Sequence, residues 1–427
     1  MKKIVLHIFL LLVSQLSWAQ KSITIDECWQ KARENYPLIR QHGLVDLSER
    51  YTVSNIGKIW LPQISVNAQA SYQSDVVHLP VDIPGMDIPV IDKDQYKVTV
   101  DLSQTIWDGG TTRSEKKITR ASHEVDKQQI EVSLYTVRER IDQLFFGILT
   151  IDEQLKQLDI LNADLDASMK VVTAYLQNGT ATSSDVDAVR VELLNTEQRR
   201  TELISSRKAY AGMLSAMINE TVGEDMELVK PVETSIQYSS SIRRPEMLLY
   251  ASQGELFQAQ EHMINVKNMP RFSLFLQGGY GKPGLNMLAN EFDFFYIGGI
   301  RFSWNFGNLY SSRNDRNLIS FRKNMILAQQ ETFVFNTNLK LTQVYHEIQK
   351  AKELMERDDE IILLRERVKK AGEGKYENGV YTVNDLVKDI NVKSQAQQAK
   401  VLHEIQYLMS IYQYKMLSGN NDQEPIK

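Results

Sequence analysis

Residues 175–219 and 375–419 carry the same design twice. Asn178-Gly179 falls on Asn378-Gly379 at an offset of 200 residues, and at that offset Thr182 falls on Thr382, Asp185 on Asp385, Val186 on Leu386 and Gln198 on Gln398. Upstream, the TTRSEKK run from Thr111 lies over the SSRNDRN run from Ser311; further back the offset becomes 208, with Pro37 over Pro245 and Pro62 over Pro270. Likeness held at a nearly fixed spacing over so long a span reads as an internal duplication. The eight residues missing from the second half, between the counterparts of Pro62 and Arg113, are expected to shorten a loop.

Each half has the same periods in the same order. A helix is expected from Asp26 to about Ile59, broken near Asn35 to Pro37 because proline starts or breaks helices. The period then changes to two. Ile64, Val66, Ala68, Ala70 and Tyr72 alternate with polar residues, as do Tyr96, Val98, Val100, Leu102 and Ile106. The second half repeats the pair with Phe272, Leu274, Leu276 and Tyr280, then Tyr296, Ile300, Phe302, Trp304 and Phe306. After each strand pair a long helix is expected, the first from about Thr111 to Gln177, or roughly 100 Å at 1.5 Å per residue. Leu144, Ile148, Ile151, Leu155, Leu158, Leu165, Val172 and Leu176 keep the three-and-four spacing of a coiled-coil seam, matched later by Leu341, Val344, Ile348, Ala351 and Met355. The Asn-Gly turn and a return helix follow, with Ser184 or Thr182 as N-cap of the first.

Strands of about ten residues with a polar face rich in Gln, Ser, Thr and Asn suit a tilted bilayer crossing. A soluble antiparallel sheet gives the same alternation. Two observations favour the membrane. Tyr72, Tyr96, Tyr280 and Tyr296 fall at the hairpin-loop ends of their strands, while Trp60, Trp107 and Trp304 gather at the other ends, as in two interfacial aromatic girdles. Four strands also cannot close a barrel alone, and open edges are not viable in lipid, so membrane-spanning strands require an oligomer.

The first twenty residues read as a secretory leader, with Lys2 and Lys3, an apolar run from Ile4 to Val13 and small Ala19 near the end. That run is too short for a helical span, and no later one is long enough. Cys28, the single cysteine, lies past the leader core and reads as a packed thiol. The formal charge of −5 has its basic residues scattered among acids, so no nucleic-acid face is expected. The expected organisation is a signal peptide over 1–20, a first repeat over 21–219 with strands at about 62–107, an equatorial segment over 220–244, a second repeat over 245–418 with strands at about 270–306, and a flexible tail over 419–427.

The duplicated plan, together with Arg244-Pro245, the WDGG run at Trp107 and the N-G…D-V/L turns, resembles the TolC family of outer-membrane efflux proteins over essentially the whole mature chain. The resemblance implies a membrane α+β fold: a homotrimer whose four strands per chain close a twelve-stranded barrel, continued by a periplasmic α-helical barrel. It implies an exit duct receiving substrates from a periplasmic adaptor and an inner-membrane RND or ABC transporter. Asn178, Gly179, Thr180, Asn378, Gly379 and Val380 would meet the adaptor, and Asp185 and Asp385 would face the narrowing at the tip. Helix capping is an alternative role for both aspartates. Tyr376 matches a gating tyrosine of the family or is an aromatic knob in the seam. Tyr381 stands where the family has a latching arginine, and Lys388 where it has a second carboxylate, so the closed state is expected to use other contacts.

The seven histidines are dispersed and the GGYGKPG run lacks the lysine-hydroxyl ending of a phosphate loop, so no metal site, cofactor or enzyme is expected. The rival readings are a type I protein-secretion duct paired with an ABC exporter, and a periplasmic coiled-coil scaffold with a soluble sheet.

Overall fold

A computed structural model describes residues 22–77, 91–232, 236, 238, 241–287 and 289–419. The expected leader therefore lies outside the described residues, as do residues 78–90 and all of the tail beyond Gly419. The chain runs β1 (Ser22–Ile23), α1 (Ile25–Asn35), a short 3-10 turn, α2 (Arg40–Gly57), β2 (Gln63–Tyr72), β3 (Asp94–Trp107), α3 (Thr111–Gln177), α4 (Ser183–Ile218) and β4 (Glu227–Leu228). It continues with α5 (Pro245–Lys267), β5 (Arg271–Lys282), β6 (Asp293–Ser303), α6 (Asn308–Glu377) and α7 (Val383–Ser418). From α2 onward, the order helix, strand, strand, very long helix, return helix occurs twice. The connection between β2 and β3 is longer than that between β5 and β6, which is where the change of offset requires extra residues.

Two compact units are built from this order. One takes residues 42–129 and 248–330 and holds a four-stranded antiparallel sheet in the order β2-β3-β5-β6. Each hairpin pairs within itself, and β3 pairs with β5 to join them, so β2 and β6 are the edges. Near the start of α3, Lys127 reaches Asp46 at 2.7 Å and Glu49 at 3.5 Å on α2, and Lys323 reaches Glu261 at 2.6 Å. The helices of this unit bury apolar side chains unevenly: Leu249, Ala259, Met263, Ile264 and Val266 of α5 are buried. No residue of α2 is buried, and Leu44, Tyr51, Leu318, Phe321 and Met325 are all exposed.

The other unit takes residues 1–41, 130–247 and 331–427. One core packs Ile25, Cys28 and Ala32 of α1 against Ile141, Phe145, Phe146 and Ile148 of α3, Leu214 of α4 and Leu408 of α7. Cys28 is fully buried, as a packed thiol should be. The segment after α4, which loses periodicity in the sequence, is tied in by tertiary pairing: Glu227-Leu228 runs parallel to Ser22-Ile23, and Val222, Met226 and Leu228 enter the same core. A second core joins Leu158, Leu161, Leu165 and Val172 of α3 to Val189 of α4 and to Tyr376, Val383, Leu386 and Ile390 of the second hairpin. Of the first seam, Leu176 is exposed and Leu155 half-buried, while the other six residues are buried.

Among the described residues, no helix is long and apolar enough to cross a membrane.

Candidate functional site

The sheet has two chemically distinct faces. Opposed residues of an antiparallel pair share a face, so the register lines up Val66 with Val100 and Gly278, Ile64 with Leu102 and Leu276, and Leu274 with Ile300. This apolar face is exposed on every strand, with Ile64, Val66 and Ile300 each near 70%. The other face sets Asn67 against Thr99 and Gly279, and Ser65 against Asp101 and Gln277. Asp101 accepts hydrogen bonds from Asn67 at 2.8 Å, Thr99 at 3.1 Å and Gln277 at 2.5 Å.

One expected apolar position changes. The register shifts between Thr105 and Trp107, so that Thr105 opposes Ser273 and Trp107 opposes Phe272. Ile106 is the extra residue of this bulge and has no partner position; Trp107 takes the place opposite Phe272. A bulge inserts one residue and so reverses the alternation beyond it, which a strict period of two misses. Gln104, which the alternation puts on the apolar face, has its side-chain N–H groups satisfied by the carbonyls of Trp60 and Thr105.

The register also fixes the aromatic positions. Tyr72 opposes Asp94, Tyr96 opposes Ala70, Tyr280 opposes Val98, and Tyr296 opposes Gly278, which gathers all four tyrosines toward the hairpin-loop end. Phe292 and Phe294 extend that cluster, their rings 5.4 and 4.6 Å from Tyr280. Trp107 and Trp304 mark the other end, with Trp60 held near by Gln104. Trp304 stacks near Phe306 at 4.7 Å and donates its Nε1–H to Asn268.

The two Asn-Gly turns are built alike. Gly179 and Gly379 hold φ of +74° and +72°, and an added Cβ would meet nothing within 4 Å at either, so glycine is required by the backbone alone. Thr180 N–H returns to Tyr175 at 2.9 Å and Val380 N–H to Lys375 at 2.8 Å, closing each helix end. Thr182 and Thr382 cap the return helices. Asp185 Oδ2 accepts from Thr182 N–H and hydroxyl, both at 2.8 Å, and Asp385 Oδ2 from Thr382 at 3.1 and 2.7 Å. Both aspartates are thus engaged in capping boxes of their own turns. The Thr382 hydroxyl and N–H hold the Asp385 carboxyl below the usual carboxylate range.

Tyr376 is buried, its ring 5.6 Å from Tyr175, and burial followed by the charge of Asp185 pushes its phenol up. Tyr381 lies beneath Lys375, whose Nζ is 4.7 Å from the ring centre, and Lys388 is exposed. Asn178, Gly179, Thr180, Asn378, Gly379 and Val380 are all exposed at the turns.

Above the second core lies a cluster that the sequence reading missed. Lys369 and Lys393 are both 8% exposed; Lys369 reaches Asp164 at 2.6 Å, and Lys393 reaches Glu366 at 2.7 Å and Asp164 at 3.2 Å. Despite its burial, Asp164 is held below the usual carboxylate range by the hydrogen bonds of the two ammonium groups. A signal was present: at the offset of 200, Met169 and Leu193 occupy the lysine positions and Leu364 the aspartate position. Met169 and Leu193 pack against the second core, so at the two lysine positions a charge replaces an apolar core neighbour and the two halves differ in packing.

Among the described residues, no three His, Cys, Asp or Glu side chains converge as metal ligands would. The geometry offers a sheet with a lipid-compatible face, a polar face opposite, and exposed helix-hairpin tips. A family model described as Outer membrane efflux protein matches residues 29–220. Comparison with curated proteins finds no match. Among solved structures, the outer-membrane channel OprN is 12% identical, with a TM-score of 0.70 over 93% of this chain and 90% of that one. The CmeC outer membrane channel of Campylobacter jejuni is 13% identical, with a TM-score of 0.66 over 92% of this chain and 85% of that one. The outer membrane protein VceC of Vibrio cholerae is 12% identical, with a TM-score of 0.67 over 92% and 96%. At these identities the structures establish a shared fold.

Proposed function

We propose that this chain, whose residues 29–220 match the outer membrane efflux protein family, is a channel rather than an enzyme: the outer-membrane exit duct of a tripartite efflux system. It resides in the outer membrane with a large periplasmic helical portion. The observation that carries the proposal is the sheet: one continuous exposed apolar face, an opposite polar face, and two unpaired edges at β2 and β6.

Unpaired edges are untenable in lipid. Closure by neighbouring copies resolves them, and three copies of four strands give a twelve-stranded barrel with lipid outside and a polar lumen inside. The same assembly covers the exposed Leu44, Tyr51, Phe321 and Met325. The tyrosine and tryptophan ends of the sheet then lie at the two membrane interfaces. The duplicated halves, 21–219 and 245–418, supply alternating hairpins to a periplasmic α-barrel, with 220–244 packed at its equator.

The tips at Asn178-Gly179-Thr180 and Asn378-Gly379-Val380 dock a periplasmic adaptor coupled to an inner-membrane pump of the RND or ABC type. Conduction is passive, the pump supplying the energy. At the tip, Asp185 and Asp385 act as rigid caps, and Tyr376, Tyr381 and Lys388 line the moving hairpin.

The test is the native mass of the complex, extracted from the outer membrane in mild detergent with the detergent subtracted. Three chains are expected. One chain, or release into the soluble periplasm, sinks the shared barrel and leaves the coiled-coil scaffold.

A further inference from the structure

Three large apolar residues lie on the polar face of the sheet, Ile297 opposite Gln277 and two phenylalanines. Phe275 and Phe295 face the same side as Asn67, Thr99 and Gln277, and each lies opposite a glycine of the partner strand: Phe275 opposes Gly299, and Gly279 opposes Phe295. The rings occupy the space that side chains on those glycines would need. A Cβ at Gly279 would come within 2.5 Å of Phe295, and one at Gly299 within 3.2 Å of Phe275. Each ring in turn carries a cation. Lys97 Nζ stands 4.9 Å from the centre of Phe295, and the Arg301 guanidinium 4.9 Å from the centre of Phe275. The same three-layer stack of glycine, phenylalanine and cation is therefore built twice.

A phenyl ring under a cation fixes the position of an otherwise flexible charge and lifts it off the strand plane. The acidic member of this face is treated in the opposite way: Asp101 is held at sheet level by Asn67, Thr99 and Gln277. The remaining charges of the face sit at the strand ends, Arg271 and Asp293. Basic groups outnumber acidic ones, three to two, and the two raised charges are both cations, Lys97 toward the hairpin-loop end of the sheet and Arg301 toward the other.

We propose that Lys97 and Arg301 form a two-tiered anion-selective belt inside the membrane-spanning part of the duct, one tier toward each end, favouring solutes that carry carboxylate, phosphate or sulfonate groups. This rests on the conduit reading, which makes the polar face the lumen. Repeated by symmetry, the belt has two tiers of three pedestal-mounted cations each: Lys97 lies level with Gly281 and Asp293, and Arg301 eight register positions away, level with Ser273 and Thr105. Rings of Arg and Lys side chains select anions in other pores by the same electrostatics.

The test is the reversal potential of the channel in a planar bilayer under a KCl gradient, for the intact chain and for the Lys97→Gln/Arg301→Gln double variant. The double variant is expected to lower the chloride-over-potassium permeability ratio by about twofold or more at low salt. The difference is expected to shrink near 1 M salt, where the screening length falls to about 3 Å. Arg301→Lys alone, which keeps the charge, is expected to stay near the intact value. An unchanged ratio in a double variant that still conducts overturns the belt and leaves the rings as fillers of the glycine gaps. A trimer that inserts and never conducts overturns the conduit reading, and the belt with it.

Discussion

Asp142 accepts a hydrogen bond from Trp29 Nε1 at 2.7 Å and keeps only 7% of its surface exposed. Burial pushes its carboxyl up to about 7, against the opposing pull of Trp29 and Arg138. The unfolded chain ionises this group near pH 4, whereas the folded molecule holds the proton until about 7. Stability from this site is therefore fully present below pH 4, declines as the pH rises between those values, and is flat above. At about 1.4 kcal/mol per pH unit the decline amounts to roughly 2–4 kcal/mol. Asp142→Asn keeps an acceptor for Trp29 and removes the ionisation. Its unfolding midpoint is expected to exceed that of the parent at pH 8 and to approach it at pH 4.5. A parent whose midpoint shows no such fall would mean that Asp142 is not held protonated. Cys28, in the same core, has its thiol pushed up to about 12 by burial, which keeps it unreactive.

At the scale of elements, Asp164 holds α3 against α6 and α7 through Lys369 and Lys393. Removing one partner of a buried ion cluster strands the others without compensation, at a cost of about 3–5 kcal/mol. Asp164→Asn is therefore expected to lower the unfolding midpoint and to speed hydrogen exchange in residues 366–393. The triple variant Asp164→Leu/Lys369→Met/Lys393→Leu installs the residues found at the repeat-related positions. It is expected to recover most of that loss, because buried ion pairs replaced by apolar groups of fitting volume are often neutral in stability. If the single variant is silent, the cluster contributes nothing. Acid works on the same cluster: Asp164 is held low, so its contribution is present above pH 4 and lost as the pH falls through its lowered value.

The whole molecule meets its surroundings through the two faces of the sheet. Val66 lies mid-strand on the apolar face and Asn67 on the polar one. If the apolar face meets lipid, Val66→Arg puts a charge near the bilayer midplane at a cost of about 2–4 kcal/mol, while Asn67→Arg faces the lumen and costs little. Outer-membrane yield of folded protein is expected to fall for the first and to hold for the second. Equal yields would place both faces in water and return the sheet to a soluble domain.

The local parts of this architecture were legible in the residues. The periods of two and of three-and-four, the glycines that must adopt positive φ and the Thr-x-x-Asp caps are short-range consequences of backbone geometry. So the four long strands, the long helices and both turns appear in the sequence in their observed order. Ile106 marks the limit of that reading, because a bulge is decided by how β3 meets β5 and not by alternation along β3. The β1–β4 pairing, the Asp164 cluster and the two glycine-phenylalanine-cation stacks each join residues far apart in the chain. Their energies depend on distance and burial, quantities that exist only once the helices and strands have packed. The sequence by itself determined the elements and their doubled order; only the tertiary structure decided which charges are buried, which are raised, and which side chain stands over which glycine.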